Sequence, residues 1–334
     1  MDRQFKTDTV NALIELLNEH YVFPETAASL ERELTQRLID HEYEETSNHS
    51  AFAELITTHL YNVSKDKHLR MTYKVEKAHA DNAPSERNAQ PGPFLPMAEQ
   101  DNYGFTKVER LPGNIGLLEF HIFLPPEHAG ETVASAMTFL ANTSCLIIDL
   151  RSNFGGSPHM VAFLSSYLLD PSPTHLNSLY WRKNDETQQF WSLPYVPGKR
   201  YGGTKPLYIL TSGKTFSAAE EFAYNLQTMK RAVIVGERTG GGAHPGKVHR
   251  INKEFEVFIP DGRAINPITK GNWEGVGVCP DIEVPQDQAF EVAYAKLLQS
   301  EMDRLSSHPL PDGYERVMDE LKIAMHKNSL PTRS

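Results

Sequence analysis

Four short runs of apolar residues, separated by helical patterns, constrain the fold of this chain more than any other feature. The apolar runs lie at residues 114–120, 145–150, 207–211 and 232–235. The helical patterns lie at residues 133–140, 161–168 and 218–229. Continuous apolar runs such as CLIIDL and AVIVG are typical of strands that are buried on both faces of a sheet. Strands that alternate with helices predict an α/β domain.

The amino-terminal part of the chain carries a different pattern. Apolar residues recur at helical spacing within residues 8–20, 27–38 and 52–60. Three amphipathic helices with short connections predict a small helical bundle. The segment 78–100 then has four prolines among polar residues and no periodicity, which indicates a linker or flap.

These patterns divide the chain into three parts. We expect an N-terminal three-helix bundle in residues 1–72, a linker or flap in residues 73–100, and an α/β core in residues 101–334. Within the core, residues 248–259 alternate as in a β-hairpin, and residues 290–298 begin a C-terminal helix. A chain of 334 residues with 40% apolar content can bury a main core and a smaller one.

The composition counts against several classes of partner and site. The formal net charge is −10, so binding to nucleic acid or to an anionic membrane surface would gain no counterion-release energy. The two cysteines, Cys145 and Cys279, lie in apolar stretches and are expected to be buried thiols. Their number fits neither a structural zinc site nor a redox pair.

No membrane or export signal is visible in the sequence. No apolar run approaches the ~18 residues that a membrane span requires. The start, MDRQFKTDTVNALIELL, mixes charges with apolar residues and lacks the uninterrupted apolar stretch of a secretory signal. We therefore expect a soluble, cytoplasmic protein as written, or a periplasmic or extracellular one if a signal has been removed.

The segment LYILTSGKTFSAAEEFAYNL carries the most informative chemistry. A buried strand runs to Thr211, a short turn follows, and Ser217 stands at the predicted amino terminus of a helix. The unpartnered N–H groups and the dipole of a helix start stabilise developing negative charge, so a serine there acts as a nucleophile when a base reaches it. The G-x-S-x-G pattern of the α/β-hydrolases is absent. The alternative is a capping box, since Ser217 and Glu220 fit the S-x-x-E pattern of many ordinary helices.

A second segment, LIIDLRSNFGGS, ends a buried strand with the adjacent glycines Gly155 and Gly156. Paired glycines let successive N–H groups converge on one point, which in a hydrolase forms part of an oxyanion hole. The alternative is a tight strand-to-helix turn, with Ser157 and Pro158 starting the next helix. A phosphate loop is disfavoured because no Lys-Ser/Thr pair follows the glycines.

Several segments together resemble the tail-specific (C-terminal processing) serine peptidase family. They read TSGKTFSAAEEF, DLRSNFGG, VIVGERTGGG and WEGVGVCPDIEV. The helical start with its HYVFPE segment resembles the branch that contains interphotoreceptor retinoid-binding protein and the tricorn core protease, so the likeness covers nearly the whole chain. The resemblance implies a spiral ββα core like that of ClpP and the crotonases, preceded by a helical bundle. It also places Ser217 at the family's nucleophile position.

The resemblance also indicates which base to expect. Many members carry a lysine after the VGE motif, but the matching position here is Gly242, and Lys247 stands in a different context. The tricorn-like branch uses a histidine, and His68 stands at the position that resembles it, with Lys67 in place of the preceding hydroxyl residue. Imidazole suits the role because its pKa lies near neutrality. His244, close to the vacant lysine position, is the rival base.

Further site residues are implied by the same resemblance. Glu274 matches the acidic residue of the tricorn-like tetrad and would orient the base or a water molecule. The alternative for Glu274 is an exposed glutamate in a turn. The backbone N–H groups of Gly155 or Gly156 and of Ala218 would bind the oxyanion. No metal and no organic cofactor are implied.

The implied reaction is hydrolysis of peptide bonds in an unfolded peptide or protein through an acyl-enzyme. Recognition of a substrate tail by a PDZ domain is not supported, because residues 73–113 are too few for such a domain. Two alternatives stay open. The retinoid-binding relative favours a non-catalytic carrier of retinoid or fatty acid, and an esterase acting on small esters is the other. The sequence leaves the oligomeric state open.

Overall fold

The computed structural model describes residues 1–46, 48–74, 94–307 and 313–328. These residues form two compact units, each drawn from separated segments of the chain. The bundle unit comprises Met1–Gly92, Ser178–Gln188 and Gly242–Ile265, and the sheet unit comprises Pro93–Asn177, Gln189–Gly241 and Asn266–Ser334. The predicted division at residues 72 and 100 follows the order of the chain and stays a prediction.

The described residues contain the following helices and strands. The helices are α1 (Arg3–His20), α2 (Pro24–Ile39), α3 (His49–Ser64), α4 (Phe94–Gln100), α5 (Pro126–Leu140), α6 (Pro158–Leu168), α7 (Ala218–Thr228), α8 (Ala289–Ser306) and α9 (Glu315–Asn328). The strands are β1 (Arg70–Tyr73), β2 (Phe105–Leu111), β3 (Ile115–Phe120), β4 (Cys145–Asp149), β5 (His175–Trp181), β6 (Glu186–Trp191), β7 (Leu207–Thr211), β8 (Val233–Gly236), β9 (Gly246–Arg250), β10 (Phe255–Pro260), β11 (Gly262–Ile265) and β12 (Ile282–Glu283). Within these ranges no helix is both long and apolar enough to cross a membrane.

The bundle unit contains the three predicted helices, whose starts are set by local sequence. Asp2 accepts a hydrogen bond from the N–H of Phe5 at 2.8 Å before α1, and Asn48 accepts one from the N–H of Ala51 at 2.9 Å before α3. Pro24 opens α2, where its fixed φ suits the first turn. The apolar faces of the helices share one core with β10. This core includes Leu13, Leu17, Leu30, Leu34, Phe52, Ile56, Phe255, Val257 and Ile259.

A three-stranded antiparallel sheet, in the order β1-β10-β9, completes the bundle unit. Val257 of β10 pairs with Met71 of β1 on one side and with His249 of β9 on the other. The β9–β10 pair confirms the hairpin predicted at residues 248–259. A second three-stranded sheet has the order β11-β5-β6.

The centre of the sheet unit is a six-stranded sheet in the order β12-β8-β7-β4-β3-β2. Its neighbouring strands are parallel, except for the antiparallel pair β2 and β3. All residues of β4 are buried, as expected of a strand that is covered on both faces. The four apolar runs in the sequence are β3, β4, β7 and β8, which lie side by side. The predicted α/β class, with a helical amino-terminal part, is confirmed.

The parallel register brings the two chemistry-bearing segments to the same edge of this sheet. Asp149, the last residue of β4, pairs with Leu210 near the end of β7. The loop after β4 carries the paired glycines, and the turn after β7 leads to Ser217. Since the carboxyl ends of parallel strands meet at one edge, this is the position at which open α/β sheets place their ligands.

The segment interpreted as a linker ends in a helix. Residues 75–93 lie outside the described residues, and α4 forms at Phe94–Gln100. The sequence did not predict this helix, and the assignment of residues 73–100 as a linker or flap stays a prediction. A seven-residue helix that contains a proline has too few apolar positions to show a helical period.

The two cysteines differ in exposure. Cys145 is buried in β4, and its Sγ lies 3.5 Å from a carboxylate oxygen of Glu301. Cys279 is exposed, so the expectation of two buried thiols is wrong for this residue. It lies in an irregular segment in which the preceding Val278 is buried instead.

Candidate active site

Ser217 occupies an uncommon backbone conformation at the junction between β7 and α7. Its φ of +55° and ψ of −122° differ from the extended conformation of an ordinary helix cap. A non-glycine residue in such a region carries strain of about 1–3 kcal/mol, and residues of this kind cluster at active sites. The junction is therefore a strained strand-to-helix elbow, although the G-x-S-x-G pattern is absent from the sequence.

The turn that leads to Ser217 is fastened to the loop after β4. The Thr215 hydroxyl donates a hydrogen bond to the carbonyl of Leu150 at 2.8 Å. The Phe216 N–H donates to the carbonyl of Asn153 at 3.1 Å. Thr215 and Asn153 are fully buried, so these bonds are shielded from water. They hold the residue before Ser217 in a fixed place and help the chain to maintain the strained elbow.

The paired glycines lie directly beside Ser217. A β-carbon on Gly155 would lie 2.7 Å from Cβ of Ser217 and 2.9 Å from the backbone nitrogen of Ala218. A β-carbon on Gly156 would lie 2.2 Å from the carbonyl oxygen of Phe123. Both glycines also have positive φ, +103° and +141°. Only glycine fits these positions, because any side chain would collide with the backbone or with the serine.

The amide of Gly155 is already engaged. Its N–H donates to Oδ1 of the buried Asn153 at 2.9 Å, and Nδ2 of Asn153 donates to the carbonyl of Phe120 at 3.0 Å. The Asn153 side chain thus fixes the glycine turn to the end of β3. Of the three predicted oxyanion donors, this leaves the N–H groups of Gly156 and Ala218 as candidates.

Glu220 accepts hydrogen bonds from two parts of the sheet unit. Its Oε2 accepts the N–H of Ser217 at 2.9 Å, which is the Glu half of the capping box that the sequence allows. Its Oε1 accepts the N–H of Gly241 at 2.6 Å and the hydroxyl of Thr239. Glu220 has no solvent exposure. The carboxylate therefore joins the elbow to the segment that follows β8.

The loop that carries Glu274 packs on that same segment. The Gly275 N–H donates to the carbonyl of Gly241 at 3.0 Å, and the Glu274 N–H donates to Oδ1 of Asn272 at 3.0 Å. A β-carbon on Gly241 would lie 3.1 Å from the backbone of Gly275. The resulting chain of contacts runs from Ser217 through Glu220 and Gly241 to the loop of Glu274.

The two candidate bases lie around one carboxylate in the bundle unit. Nδ1 of His244 lies 2.9 Å from Oδ2 of Asp66, and the backbone N–H of His68 donates to Oδ1 of Asp66 at 2.9 Å. Tyr21 adds a hydroxyl donor to Oδ2 at 3.2 Å. Asp66 is 1% exposed. Because an ionised carboxylate only accepts hydrogen bonds, His244 is held with its Nδ1 as the donor.

The surroundings of His68 favour its neutral form. Burial lowers the pKa of His68 to about 4, the Asp66 carboxylate acts in the opposite direction, and His244 and Arg70 lower it further. A neutral imidazole is the form that accepts a proton.

The sequence reasoning missed Asp66, Asn153 and the second role of Glu220. In the sequence, Asp66 is marked only by its position two residues before His68. The predicted site residues are divided between the units. Ser217, Gly155, Gly156, Ala218 and Glu274 belong to the sheet unit, and His68 and His244 belong to the bundle unit.

Two parts of the chain match known family profiles. Residues 114–284 match peptidase family S41, which is just over half of the chain. The chain belongs to peptidase family S41. Residues 3–108 match the N-terminal domain of family S41 peptidases in eukaryotic IRBP. The resemblance drawn from the sequence motifs and from the helical start is confirmed.

Two curated relatives match part of the chain. Carboxyl-terminal-processing peptidase 1, chloroplastic, of Arabidopsis thaliana is 25% identical over 180 residues, which cover 54% of this chain and 35% of that protein. Tail-specific protease of Haemophilus influenzae is 26% identical over 205 residues, which cover 56% of this chain and 27% of that protein. The chain spans about a third of the length of these relatives, so their activities do not transfer to it by similarity alone.

Solved structures share the fold over most of the chain. A crystal structure of a candidate peptidase from Parabacteroides merdae has a TM-score of 0.60 at 20% identity, covering 88% of this chain and 96% of that one. Mature CPAF has a TM-score of 0.60 at 12% identity, covering 91% and 97%. A lipoprotein from Streptococcus agalactiae has a TM-score of 0.55 at 12% identity, covering 87% and 96%. At these identities the likeness concerns the fold.

Proposed function

We propose that this chain is a serine peptidase that hydrolyses peptide bonds through an acyl-enzyme, with Ser217 as the nucleophile. The strained elbow at Ser217, with the Gly155 turn against it, is the observation that carries the proposal. Ser217 Oγ bonds to the carbonyl carbon while its proton moves to an imidazole nitrogen. That proton passes to the leaving amine as the C–N bond breaks, and water then releases the acyl group by the reverse sequence.

His68 is the base in this proposal, and His244 is the rival. Burial lowers the pKa of His68 to about 4, so the ring is neutral at physiological pH and free of a proton on its accepting nitrogen. The same burial makes His68 a weaker base than an ordinary imidazole, whose pKa lies nearer the operating pH. For the rival, the contact between His244 and Asp66 resembles the one by which an aspartate orients the imidazole base in serine hydrolases. Glu274 supports the base or a water molecule.

The oxyanion binds to the N–H groups of Gly156 and Ala218. Ala218 is the first residue of α7, where backbone N–H groups point out of the helix start and the dipole favours negative charge. The N–H of Gly155 is engaged by Asn153. Gly155 instead lets the loop after β4 lie close to Ser217, because it has no side chain. Removal of one oxyanion donor typically lowers the rate by ~10²- to 10³-fold.

The substrate in this proposal is an unfolded peptide or protein. The two curated relatives are named as a carboxyl-terminal-processing peptidase and a tail-specific protease, which supports a polypeptide substrate. A net charge of −10 disfavours nucleic acid as a partner. The proposal includes no PDZ-mediated binding of a substrate tail.

Labelling with an alkyl fluorophosphonate tests the proposed nucleophile. We expect the wild-type protein to be labelled, Ser217→Ala to lose the label, and the exposed Ser172→Ala to keep it. No labelling of the wild type, together with tight binding of retinoid or fatty acid, would support the carrier. Turnover of p-nitrophenyl esters without turnover of unfolded protein would support the esterase.

Paired histidine variants test the base. We expect His68→Ala to abolish turnover of unfolded protein with the fold intact, and His244→Ala to retain measurable turnover. The reverse pattern would move the assignment to His244, with Asp66 as its orienting partner. Thermal unfolding of both variants shows whether each one is folded.

A further inference from the structure

We propose that Glu220 is a positioning residue that holds Ser217 in its reactive conformation, an inference that rests on the proposed function. The carboxylate of Glu220 is fully buried in the first turn of α7. It accepts hydrogen bonds from the Ser217 N–H, the Gly241 N–H and the Thr239 hydroxyl. Buried charged acceptors form the stronger hydrogen bonds in proteins.

These contacts go beyond the capping of a helix. A capping box needs only the exchange between its first and fourth residues, whereas Thr239 and Gly241 lie after β8, in a different part of the chain. Gly241 accepts the Gly275 N–H at 3.0 Å, and Thr239 Oγ1 accepts the Val278 N–H at 2.6 Å. One side chain therefore fixes the elbow relative to two loops of the sheet unit, including the loop of Glu274.

The arrangement of donors makes the carboxylate difficult to replace. In Glu220→Gln one acceptor oxygen becomes an NH₂ donor, so in either orientation the amide nitrogen faces a donor: the Ser217 N–H or the Gly241 N–H. The Thr239 hydroxyl already accepts a hydrogen bond from Val278 and directs its own proton to Glu220. Loss of the bond to Ser217 would let its backbone relax away from a φ of +55°.

The neighbouring Glu221 offers a matched control. It is 5% exposed and lies on the same turn of α7, but its carboxyl group faces Asn177 and Asn225. Burial raises the pKa of Glu221 to about 8, so the group is protonated at neutral pH and glutamine has nearly the same shape and charge. Glu221→Gln therefore changes a buried carboxyl group on α7 without touching the elbow.

The first experiment measures kcat and KM of both variants with a fluorogenic peptide, normalised to folded protein. We expect Glu220→Gln to lower kcat by roughly 10- to 100-fold, as displacement of a nucleophile does, with KM within about twofold of wild type. Glu221→Gln should leave both constants within about twofold. A folded Glu220→Gln with wild-type kcat, or an equal loss in Glu221→Gln, would overturn the inference.

The second experiment does not depend on activity. Hydrogen exchange of the Ser217 and Gly241 amides should be at least ~10-fold faster in Glu220→Gln than in wild type and in Glu221→Gln, because both amides bond to Glu220. Unchanged exchange would contradict the positioning role. An inactive wild type with these exchange differences would refute the proposed function alone.

Variants of Thr239 keep the inference testable if Glu220→Gln does not fold. Thr239→Val removes one of the bonds to Glu220 and should lower kcat several-fold, with KM unchanged. Thr239→Ser keeps the hydroxyl and should restore kcat. Equal kcat values for the valine and serine variants would count against the inference.

Discussion

The α-carbon of Gly155 lies against the side chain of Ser217, so that a β-carbon at position 155 would come within 2.7 Å of the serine Cβ. The φ of Gly155 is +103°, a value that L-residues rarely adopt. The loop after β4 and the turn after β7 can approach this closely because position 155 has no side chain.

Gly155→Ala should therefore impair both activity and stability. We expect the free energy of unfolding to fall by about 1–3 kcal/mol because of the positive φ and the collision, and fluorophosphonate labelling to slow by about 10²-fold because Ser217 is displaced. Gly271→Ala is the control, since no atom lies within 4 Å of a β-carbon at that position. Wild-type labelling by Gly155→Ala would contradict the close approach.

Ser217→Gly should stabilise the protein while it removes the nucleophile. Glycine adopts a φ of +55° without steric strain. We therefore expect the free energy of unfolding, measured in urea, to rise by about 1 kcal/mol relative to wild type. Ser157, before α6, has an ordinary extended conformation with φ of −82° and ψ of 127°. Ser157→Gly should lose stability instead. A loss in both variants would mean that Ser217 is an unstrained cap.

Glu221→Gln should flatten the dependence of stability on pH. The pKa of Glu221 in the folded protein is about 8, above the ordinary glutamate value of 4.5, so the folded state binds more protons than the unfolded state between these two pH values. The contribution of Glu221 to stability is thus present below pH 4.5 and is lost as pH rises to about 8, by up to about 1.4 kcal/mol per pH unit. Urea unfolding at pH 5 to 8 measures the slope. The exposed Glu283→Gln serves as the control, and parallel wild-type and Glu221→Gln curves would refute the assignment.

The pH profile of kcat/KM should have an acid limb whose midpoint lies well below the ordinary histidine pKa. The base must be neutral, and burial lowers the pKa of His68 to about 4, so activity should fall as pH drops through that value rather than near ~6.5. Initial rates between pH 3.5 and 8, corrected for unfolding, measure the limb. A limb near 6.5 would indicate that a base other than His68 operates.

Periodicity predicted most of the elements of the fold. The apolar runs at β3, β4, β7 and β8 were recognisable because burial on both faces leaves a continuous local pattern. The bundle helices showed the helical spacing of a one-sided core. The helix α4 was missed because Phe94–Gln100 is too short to display a period.

The site was predictable as segments but not as contacts. The position of Ser217 between a strand and a helix is local information, and so is the glycine pair. Other contacts depend on which loops meet in space. They are the hydrogen bond from the Gly155 N–H to Asn153 and the hydrogen bonds that Glu220 accepts from the segment after β8. Asp66 gave no usable signal, because an acidic residue near a histidine is common in any sequence.

The core of the bundle unit has a consequence for synthesis of the chain. Its helices lie within the first 64 residues, but Phe255, Val257 and Ile259 of β10 belong to the same core. During translation the apolar faces of the helices therefore emerge long before the strand that covers them. Until β10 leaves the ribosome, the nascent chain exposes Phe52 and its apolar neighbours to water. A product truncated before residue 255 would keep this apolar surface exposed and would be prone to aggregate.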